Sequence, residues 1–135
     1  MKLTHASRYA LHALAHMAAL KENPVLTSHD LALARGLPER FLLKVLRPLV
    51  AARLLHSAKG PHGGYRLARP ATQITMLEVI EAVDGPIRGR APTVEATPAS
   101  NLNRPLTEIC DQAADIVCRQ LEQVCLADLA GSRAP

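Results

Sequence analysis

The sequence predicts a mainly α-helical fold in which short helices and one β-hairpin are followed by a long C-terminal helix. Alanine and leucine dominate a chain of 135 residues that is 48% hydrophobic and 2% aromatic, a composition that favours helix and one packed core. Apolar residues recur at three- and four-residue spacing near both ends of the chain. Between those ends, the segment KGPHGGYRL (59–67) places Gly and Pro between short apolar runs, which is typical of a hairpin.

Three helices are predicted within the first fifty residues. The first covers residues 4–21 and is ended by the sequence ENP. The second is capped by Thr27 or Ser28 and is stopped by Gly36, a residue suited to the left-handed conformation that closes helices. The third opens at Pro38, where the missing N–H of proline costs little.

The third helix has one apolar and one basic side. Its apolar side, expected in the core, contains Leu42, Val45, Leu46 and Leu49, and its opposite side contains Arg40, Leu43, Lys44 and Arg47. Two short helices joined by a tight glycine-containing turn, the second with a basic outer side, predict a helix-turn-helix. Pro48 removes one backbone hydrogen bond of this helix and is expected to kink it.

The hairpin and the later elements complete a predicted winged helix-turn-helix. Short strands at 54–58 and 65–67 flank the KGPHGG loop and form a two-stranded wing. Thr75 and Glu78 form a capping-box pattern that starts a helix ending near Asp84. The predicted organisation is therefore a winged domain over 1–87, a loop over 88–105, and a long helix with a C-terminal tail over 106–135.

The long helix is predicted to mediate dimerisation. Its pattern runs from about residue 104 to 124 and has a polar side and a wide apolar side. The apolar side consists of Leu106, Ile109, Ala113, Ile116, Val117, Leu121 and Val124. Such a side, remote from the N-terminal domain, needs a partner, and the usual partner is the same helix of a second subunit.

The charge distribution indicates a polyanion as the partner of the front half. Residues 1–70 contain 11 Lys/Arg and 3 Asp/Glu, a net charge of +8, whereas residues 71–135 contain 5 and 9, a net charge of −4. Ordinary surface charge is the alternative interpretation. No apolar run is long enough to span a membrane and no signal peptide is apparent, so a cytoplasmic protein is expected. No catalytic motif is visible, so an enzyme is not expected.

Four segments resemble one family of regulators. They are RYALHALAHMA (8–18), LLHSAKGPHGGYRLARP (54–70), ITMLEVIEAVDGPI (74–87) and VCLADL (124–129), and together they are similar to the Rrf2 family of dimeric winged-helix transcription factors. The resemblance implies a homodimer that binds a palindromic operator in double-stranded DNA, as a repressor. The recognition helix would enter the major groove and the wing would reach the flanking minor groove.

The predicted DNA-binding residues lie on the third helix and on the wing. On the helix they are Pro38, Glu39, Arg40, Phe41, Leu43, Lys44 and Arg47, and on the wing they are Lys59, His62, Gly63 and Arg66.

Three positions depart from the family pattern. Lys59 stands where relatives usually have Arg, so backbone contact is expected in place of directional recognition in the minor groove. Leu43 replaces a polar residue that reads bases in some members, and it can touch a thymine methyl but cannot hydrogen-bond a base. Arg53 stands where relatives usually have a Gly in left-handed conformation, which costs Arg a steric penalty.

The cysteines do not match the cluster ligands that the family implies. Many members bind an iron–sulfur cluster through three cysteines in the loop that corresponds to 88–105, and here that loop contains no Cys or His. Cys110, Cys118 and Cys125 are about 12 Å and 10 Å apart along a helix, too far for one subunit to hold a cluster or a disulfide. No cofactor and no metal site is therefore expected, and the three thiols are interpreted as small apolar side chains.

Two alternative functions stay open. Crossing helices of a dimer could bring Cys110, Cys118 and Cys125 of two subunits together, which would make the protein a thiol-redox, metal or cluster sensor. The winged helix could instead bind another protein and have lost DNA binding. His12 and His16 have the spacing of metal ligands, but no carboxylate or Cys accompanies them in sequence.

Overall fold

A computed structural model describes residues 2–88 and 98–131 of the chain. Six helices and two strands follow in order: α1 (His5–Ala19), α2 (Ser28–Arg35), α3 (Glu39–Ala51), β1 (Leu55–Ala58), β2 (Gly64–Leu67), α4 (Met76–Asp84), α5 (Asn103–Glu122) and α6 (Leu126–Gly131). Short 3-10 helices precede α4 (Ala71–Gln73) and α5 (Pro98–Leu102). The predicted mainly α fold with a winged helix-turn-helix and a long C-terminal helix is confirmed. No helix in the described ranges has the length and apolarity to cross a membrane.

The ends of the first helices follow from their capping residues. Thr27 is the N-cap of α2, and its hydroxyl accepts a hydrogen bond from the Asp30 N–H while the Asp30 carboxylate accepts from the Thr27 N–H. Gly36 closes α2 in the left-handed region with φ 63°, as the sequence predicted. Pro38 occupies the N-cap of α3, one position earlier than N1. The helix-turn-helix is therefore defined by local sequence.

One core joins the helices to the wing. The predicted apolar side of α3, which comprises Leu42, Val45, Leu46 and Leu49, is almost fully buried. Leu14 of α1, Leu31 of α2 and Leu55 of β1 are buried in the same cluster. Since burying one such side chain contributes about 1.5–3 kcal/mol, α3 is held firmly and its opposite side stays in solvent.

The wing is attached to the loop that precedes α2. Strands β1 and β2 are antiparallel, with Leu55 opposite Leu67 and Ala58 opposite Gly64. On the outer edge of β2, Leu26 and Tyr65 exchange two backbone hydrogen bonds of 2.8 and 2.7 Å. These bonds fix the wing relative to the helix-turn-helix.

The Asn23 side chain extends this edge pairing. Its amide donates to the Leu67 carbonyl at 2.9 Å and its oxygen accepts from the Leu67 N–H at 3.1 Å, as a neighbouring strand would. Asn23 itself has φ 47°, a conformation that asparagine tolerates better than most residues.

Gly64 is required by this close pairing. Its φ is +154°, and a Cβ at this position would lie 2.5 Å from the Leu26 carbonyl oxygen. A side chain would therefore separate the wing strand from the loop that supports it.

Arg53 adopts the left-handed conformation that the family pattern implied. Its φ is 62° at the turn between α3 and β1, where a non-glycine residue bears a steric cost of about 1–2 kcal/mol. The Arg53 N–H bonds to the Val50 carbonyl at 3.0 Å, and the following Leu54 is buried. Burial of the residues on either side of the turn holds the chain in this conformation.

The segment between the wing and α4 is fixed by an ion pair and a capping box. The Arg69 guanidinium lies 2.8 Å from one carboxylate oxygen of Glu78. The other oxygen of the same carboxylate accepts a hydrogen bond from the Thr75 N–H. Partial burial acts to raise the pKa of Glu78, but the hydrogen bonds from Thr75 and Arg69 hold it below its ordinary value. The predicted capping box at Thr75 and Glu78 is confirmed.

The segment around α5 differs from the predicted loop at 88–105. Residues 98–102 form a 3-10 helix and α5 begins at Asn103, while the part of this loop over 89–97 lies outside the described residues. After α5, the segment 124–126 pairs with 74–76: the Met76 N–H donates to the Val124 carbonyl and the Leu126 N–H to the Ile74 carbonyl. The buried Leu126 then carries α6 against α1.

Candidate nucleic-acid interface

The outer side of α3 is fully presented to solvent. All seven predicted helix residues, which are Pro38, Glu39, Arg40, Phe41, Leu43, Lys44 and Arg47, are exposed, and the four apolar residues on the opposite side are buried. Helical geometry places Arg40, Lys44 and Arg47 near the centre of the exposed side, with Leu43 on one flank and Phe41 on the other. The protruding side of α3 thus combines positive charge with two apolar side chains.

The part of the chain that forms most of the interface contains basic residues and no acidic ones. Between Glu39 and Glu78 the sequence has no Asp or Glu. Six cations in this interval are exposed and form no ion pair with any other described residue: Arg40, Lys44, Arg47, Arg53, Lys59 and Arg66. Unpaired cations on a helix and an adjacent hairpin are the arrangement that binds a phosphate backbone.

Glu39, at the start of α3, makes polar contacts to α2. Its carboxylate accepts a hydrogen bond from the Ser28 hydroxyl at 3.2 Å and lies 3.3 Å from Nδ1 of His29. These contacts link the first turn of α3 to the first turn of α2, across the turn of the helix-turn-helix. The DNA contact that sequence reasoning gave to Glu39 stays a prediction, and the structure adds these two contacts within the protein.

Lys44 and Phe41 contact each other across one turn of α3. The Lys44 Nζ atom lies 5.5 Å from the centre of the Phe41 ring, within the range of a cation–π interaction. This contact directs the Lys44 ammonium group towards the flank that carries Phe41.

The wing ends in a compact turn. The Gly63 N–H donates to the Gly60 carbonyl at 2.9 Å, and His62 is exposed at the tip of the turn. Gly63 is half-buried, and a Cβ there would collide with the Ala58 carbonyl oxygen. The close packing of the turn therefore accounts for the glycine at position 63. Lys59 and Arg66 are exposed on the two arms of the hairpin, where the sequence placed them.

The predicted apolar side of α5 consists of two separate faces. Leu106, Ile109, Ala113 and Ile116 are exposed, and with Leu102 they follow alternating steps of four and three residues. We call these five residues the α5 stripe. Leu121 belongs to the core of its own domain and Val117 packs against that core. Val124 lies beyond the end of α5, in the segment that pairs with 74–76. The prediction of one shared face for all seven residues is corrected accordingly.

The cysteines lie in three different environments. Cys110 is half-buried on α5. Cys118, on the inner side of the same helix, packs against the core, and its Sγ lies 3.9 Å from the Ile87 carbonyl oxygen. Cys125 precedes α6, and its Sγ lies 3.2 Å from an Asp128 carboxylate oxygen that also accepts the Cys125 N–H. Cys118 and Cys125 thus face their own domain and are not part of the α5 stripe.

The surroundings of Cys118 make its thiol a poor nucleophile. Desolvation by burial raises the pKa of Cys118, and the carboxylates of Glu81, Asp115 and Glu122 raise it further. The thiolate is the reactive form of cysteine, so its fraction at neutral pH is lower than for an ordinary thiol.

Cys118 is accordingly expected to react more slowly than an unperturbed cysteine with a thiol reagent such as iodoacetamide. The rate should keep rising with pH beyond the range in which an ordinary thiol levels off. Mass spectrometry of the native protein over time measures it, with the unfolded protein as the reference. Rapid labelling of Cys118 at neutral pH would contradict the assignment and restore its candidacy as a redox residue.

The two histidines of α1 have cationic neighbours. Desolvation lowers the pKa of His12 and of His16, and the charge of Arg35 lowers both further. Within the described ranges, no group of three or more His, Cys, Asp or Glu side chains is arranged to hold a metal ion. The positive charge of the neighbouring guanidinium disfavours a metal ion between the two imidazoles.

Sequence reasoning missed a polar cluster at the start of α1. Ser7 is fully buried, and its hydroxyl donates to Oδ2 of Asp84 at 2.5 Å. The Thr4 hydroxyl, which caps α1 by accepting from the Ser7 N–H, also donates to Asp84 at 2.9 Å. These contacts join residues 77 and 80 positions apart, so helical periodicity carries no signal for them. Only the AVDG sequence, already singled out by the resemblance, pointed to Asp84.

Comparison with known proteins identifies the family. The model of the Rrf2 family, described as iron-dependent transcriptional regulator, matches residues 3–132. The chain belongs to the Rrf2 family. This Rrf2 protein is 34% identical over 136 residues to an HTH-type transcriptional regulator of Mycobacterium tuberculosis, covering 100% of this chain and 84% of that relative. It is 30% identical over 125 residues to an rrf2-like regulator of Rhodobacter capsulatus, covering 90% of this chain and 77% of the relative.

Solved structures show the same fold. The Rrf2 protein superposes on CymR, the global cysteine regulator of Bacillus subtilis, with a TM-score of 0.78 and 27% identity over 99% of both chains. It also superposes on IscR of T. potens with a TM-score of 0.68 and 21% identity, covering 100% of this chain and 93% of the other, a likeness in fold alone. The Rrf2 protein is a transcriptional regulator with a winged helix, and its family consists of DNA-binding regulators, which are not enzymes.

The described residues do not fit an iron–sulfur cluster within one subunit. Cys110 and Cys118 lie on the uninterrupted helix α5, about 12 Å apart along its axis, whereas cluster ligands converge on one centre. The Cys118 thiol faces the Ile87 carbonyl and Cys125 contacts Asp128. The family description names iron, but the described cysteines of one subunit of this chain do not form a set of iron–sulfur ligands.

Proposed function

We propose that this Rrf2 protein is a homodimeric, sequence-specific repressor that binds a palindromic operator and acts without an iron–sulfur cluster. The observation that carries the proposal is the set of six exposed cations on α3, on the wing and at Arg53 between them, which form no ion pair with other described residues and lie in an interval that lacks acidic residues. A polyanion is the ligand that such a surface attracts, and duplex DNA is the one that a recognition helix fits. Its place of action is the cytoplasm.

The α5 stripe supports the homodimer. Four of its five side chains are large and apolar, and all five are exposed, four of them on α5 and Leu102 at the end of the 3-10 helix before it. The alternating steps of four and three residues match the spacing at which two helices pack side by side. A dimer formed through this stripe would present two recognition helices to the two halves of a palindrome.

The absence of a cluster is proposed from the donor set. The loop at 88–105 has no Cys or His, and the three cysteines lie elsewhere in separate environments. The raised pKa of Cys118 also disfavours a thiol-redox sensor, because a sensing cysteine needs thiolate character. The DNA-binding regulator is therefore preferred to both sensor alternatives.

Salt dependence of DNA binding tests the proposal. The probe is a palindromic duplex from the promoter region of the protein's own gene, titrated with the purified protein by fluorescence anisotropy. If about half of the six cations in each of two subunits contact phosphate, affinity should fall on the order of a thousandfold between about 50 and 200 mM salt. Arg66→Ala should reduce the salt slope by about 2 for the dimer, because one phosphate contact is lost per subunit.

Arg104→Ala is the matched control for this measurement. Arg104 is also exposed, but it lies on α5 and pairs with Glu108 at 2.9 Å. Its replacement should leave affinity and salt slope unchanged. Binding that is absent or insensitive to salt would refute the DNA-binding proposal and favour a winged helix that contacts another protein. Repression is read separately, as a rise in transcripts next to the bound sites when the gene is deleted.

A further inference from the structure

Helix α3 offers an unusually narrow set of side chains for reading bases. Its sequence, ERFLLKVLRPLVA, contains no Asn, Gln, Ser, Thr or His. The bidentate readers of adenine, Asn and Gln, are therefore missing, and so are the hydroxyl groups. The acidic residue that could read cytosine, Glu39, is engaged with Ser28 and His29. Only cations and apolar side chains remain on its exposed side.

From these side chains we infer the composition of the half-site. Leu43 contacts the C5-methyl group of a thymine, and Arg47 hydrogen-bonds the adjacent guanine, so that each half of the operator contains a thymine next to a guanine. The inference rests on the proposed sequence-specific DNA binding and deepens it. Leu43 is thereby a specificity-determining residue of this chain.

The geometry of α3 places these two side chains together. Leu43 and Arg47 are four residues apart, so they are neighbours on the same side of the helix. With Lys44 they line a shallow concavity of ≈ 280 Å³ on the exposed surface of α3. Leu43 is 46% exposed, although the leucines before and after it on the helix are in the core. An exposed apolar side chain that lines a concavity on the recognition helix is removed from water when an apolar group of the DNA covers it, and this burial favours binding.

The chemistry of the major groove identifies that apolar group. Thymine is the one standard base that presents a methyl group there, and guanine presents two acceptors, N7 and O6, to which Arg binds bidentately. Phe41 does not compete for this role, because it lies on the other flank, under the Lys44 ammonium group. A thymine methyl over Leu43 beside a guanine under Arg47 therefore uses two of the three side chains that line the concavity.

Replacement of thymine by deoxyuridine tests the inference, because it removes only the methyl group. The probe is a duplex selected by the wild-type protein from a random-sequence library, with deoxyuridine then placed at the selected thymine. Removing one buried methyl should weaken wild-type binding by about fourfold per half-site and by about fifteenfold when both half-sites are changed. Fluorescence anisotropy at fixed salt measures both affinities.

The variant Leu43→Ala assigns the effect to Leu43. It should bind the thymine duplex more weakly than the wild type and should bind the thymine and deoxyuridine duplexes equally. The control Leu33→Ala, which truncates an exposed leucine on α2, should keep the wild-type preference for thymine. Circular dichroism confirms that both variants are folded.

The outcomes separate the inference from the proposed function. Equal wild-type affinity for the two duplexes, or a thymine preference that persists in Leu43→Ala, would overturn the role of Leu43 while leaving DNA binding intact. Selected half-sites without a thymine next to a guanine would overturn it as well. Failure to select any duplex would instead remove the proposed function on which the inference depends.

Discussion

Replacing Ile109 or Ile116 by glutamate is expected to convert the proposed dimer into monomers. These two side chains are 61% and 65% exposed, and they lie seven residues apart on the α5 stripe. In a symmetric dimer each substitution places a carboxylate on both sides of the interface and removes two buried isoleucines. At about 2 kcal/mol for each isoleucine, the dimer should be weakened by about 4 kcal/mol, or on the order of a thousandfold.

Sedimentation velocity at micromolar protein concentration measures this change. Gln112→Glu is the matched control, because it introduces the same carboxylate on the neighbouring polar side of α5 and should leave the dimer intact. The monomeric variants should also lose high-affinity binding to a palindrome, since two half-sites are no longer bound together. Variants that remain dimeric would show that a surface other than the α5 stripe holds the subunits together.

The division of α5 into two faces illustrates a limit of sequence reasoning. Periodicity identified the large apolar side chains of the helix, because three- and four-residue spacing is a local property. It could not tell which positions the chain's own domain covers, since that depends on how α5 leaves the 3-10 helix and packs beside α4. Leu121 therefore joined Ile109 in one predicted face, although Leu121 is in the core and Ile109 is in solvent.

Features fixed by neighbouring residues were predictable. The cap of α2, the glycine stop at Gly36 and the capping box at Thr75 each depend on a few consecutive residues. The structure confirms the last two and shows that Thr27, one of the two predicted candidates, is the cap. The left-handed Arg53 also matched expectation, because the family pattern marked its position. The extent of the wing differed by only one residue at each strand, 55–58 and 64–67 in place of 54–58 and 65–67.

Contacts between distant segments were the ones missed at the site. The sequence showed that Glu39 lies near the start of a recognition helix, but its contacts to Ser28 and His29 depend on the angle between α2 and α3. The attachment of the wing through Asn23 and Leu26 likewise depends on residues about forty positions apart. The exposure of charged side chains was easier to predict than their hydrogen-bond partners, because a cation without a partner is almost never buried.

Loss of the Asp84 carboxylate is the second large effect that the structure predicts. Asp84 ends α4, and its side chain accepts hydrogen bonds from the hydroxyls of Ser7 and Thr4 at the first turn of α1. Ser7 is fully buried, so water cannot take the place of Asp84 as the acceptor for its hydroxyl. The hydrogen bonds of Asp84 therefore join the first turn of α1 to the end of α4, where the chain leaves the winged domain towards α5.

Asp84→Ala should lower the free energy of unfolding by about 2 kcal/mol, because a buried donor loses its partner. Asp84→Asn should cost less, since the amide oxygen remains an acceptor in the same place. Urea denaturation followed by circular dichroism measures both, with all proteins at one concentration because the stability of the proposed dimer depends on concentration. An Asp84→Ala variant as stable as the wild type would show that the hydroxyls find other acceptors.

A double-mutant cycle with Ser7→Ala separates the hydrogen bond from other effects at this site. Ser7→Ala removes the buried donor, so removing Asp84 as well leaves no unsatisfied Ser7 hydroxyl. The double variant should therefore lose less stability than the sum of the two single variants, by an interaction energy of about 1 kcal/mol. Additive losses would mean that Asp84 acts through Thr4 alone. Unchanged binding of the operator per folded molecule is expected throughout, since the cations of α3 and the wing are untouched.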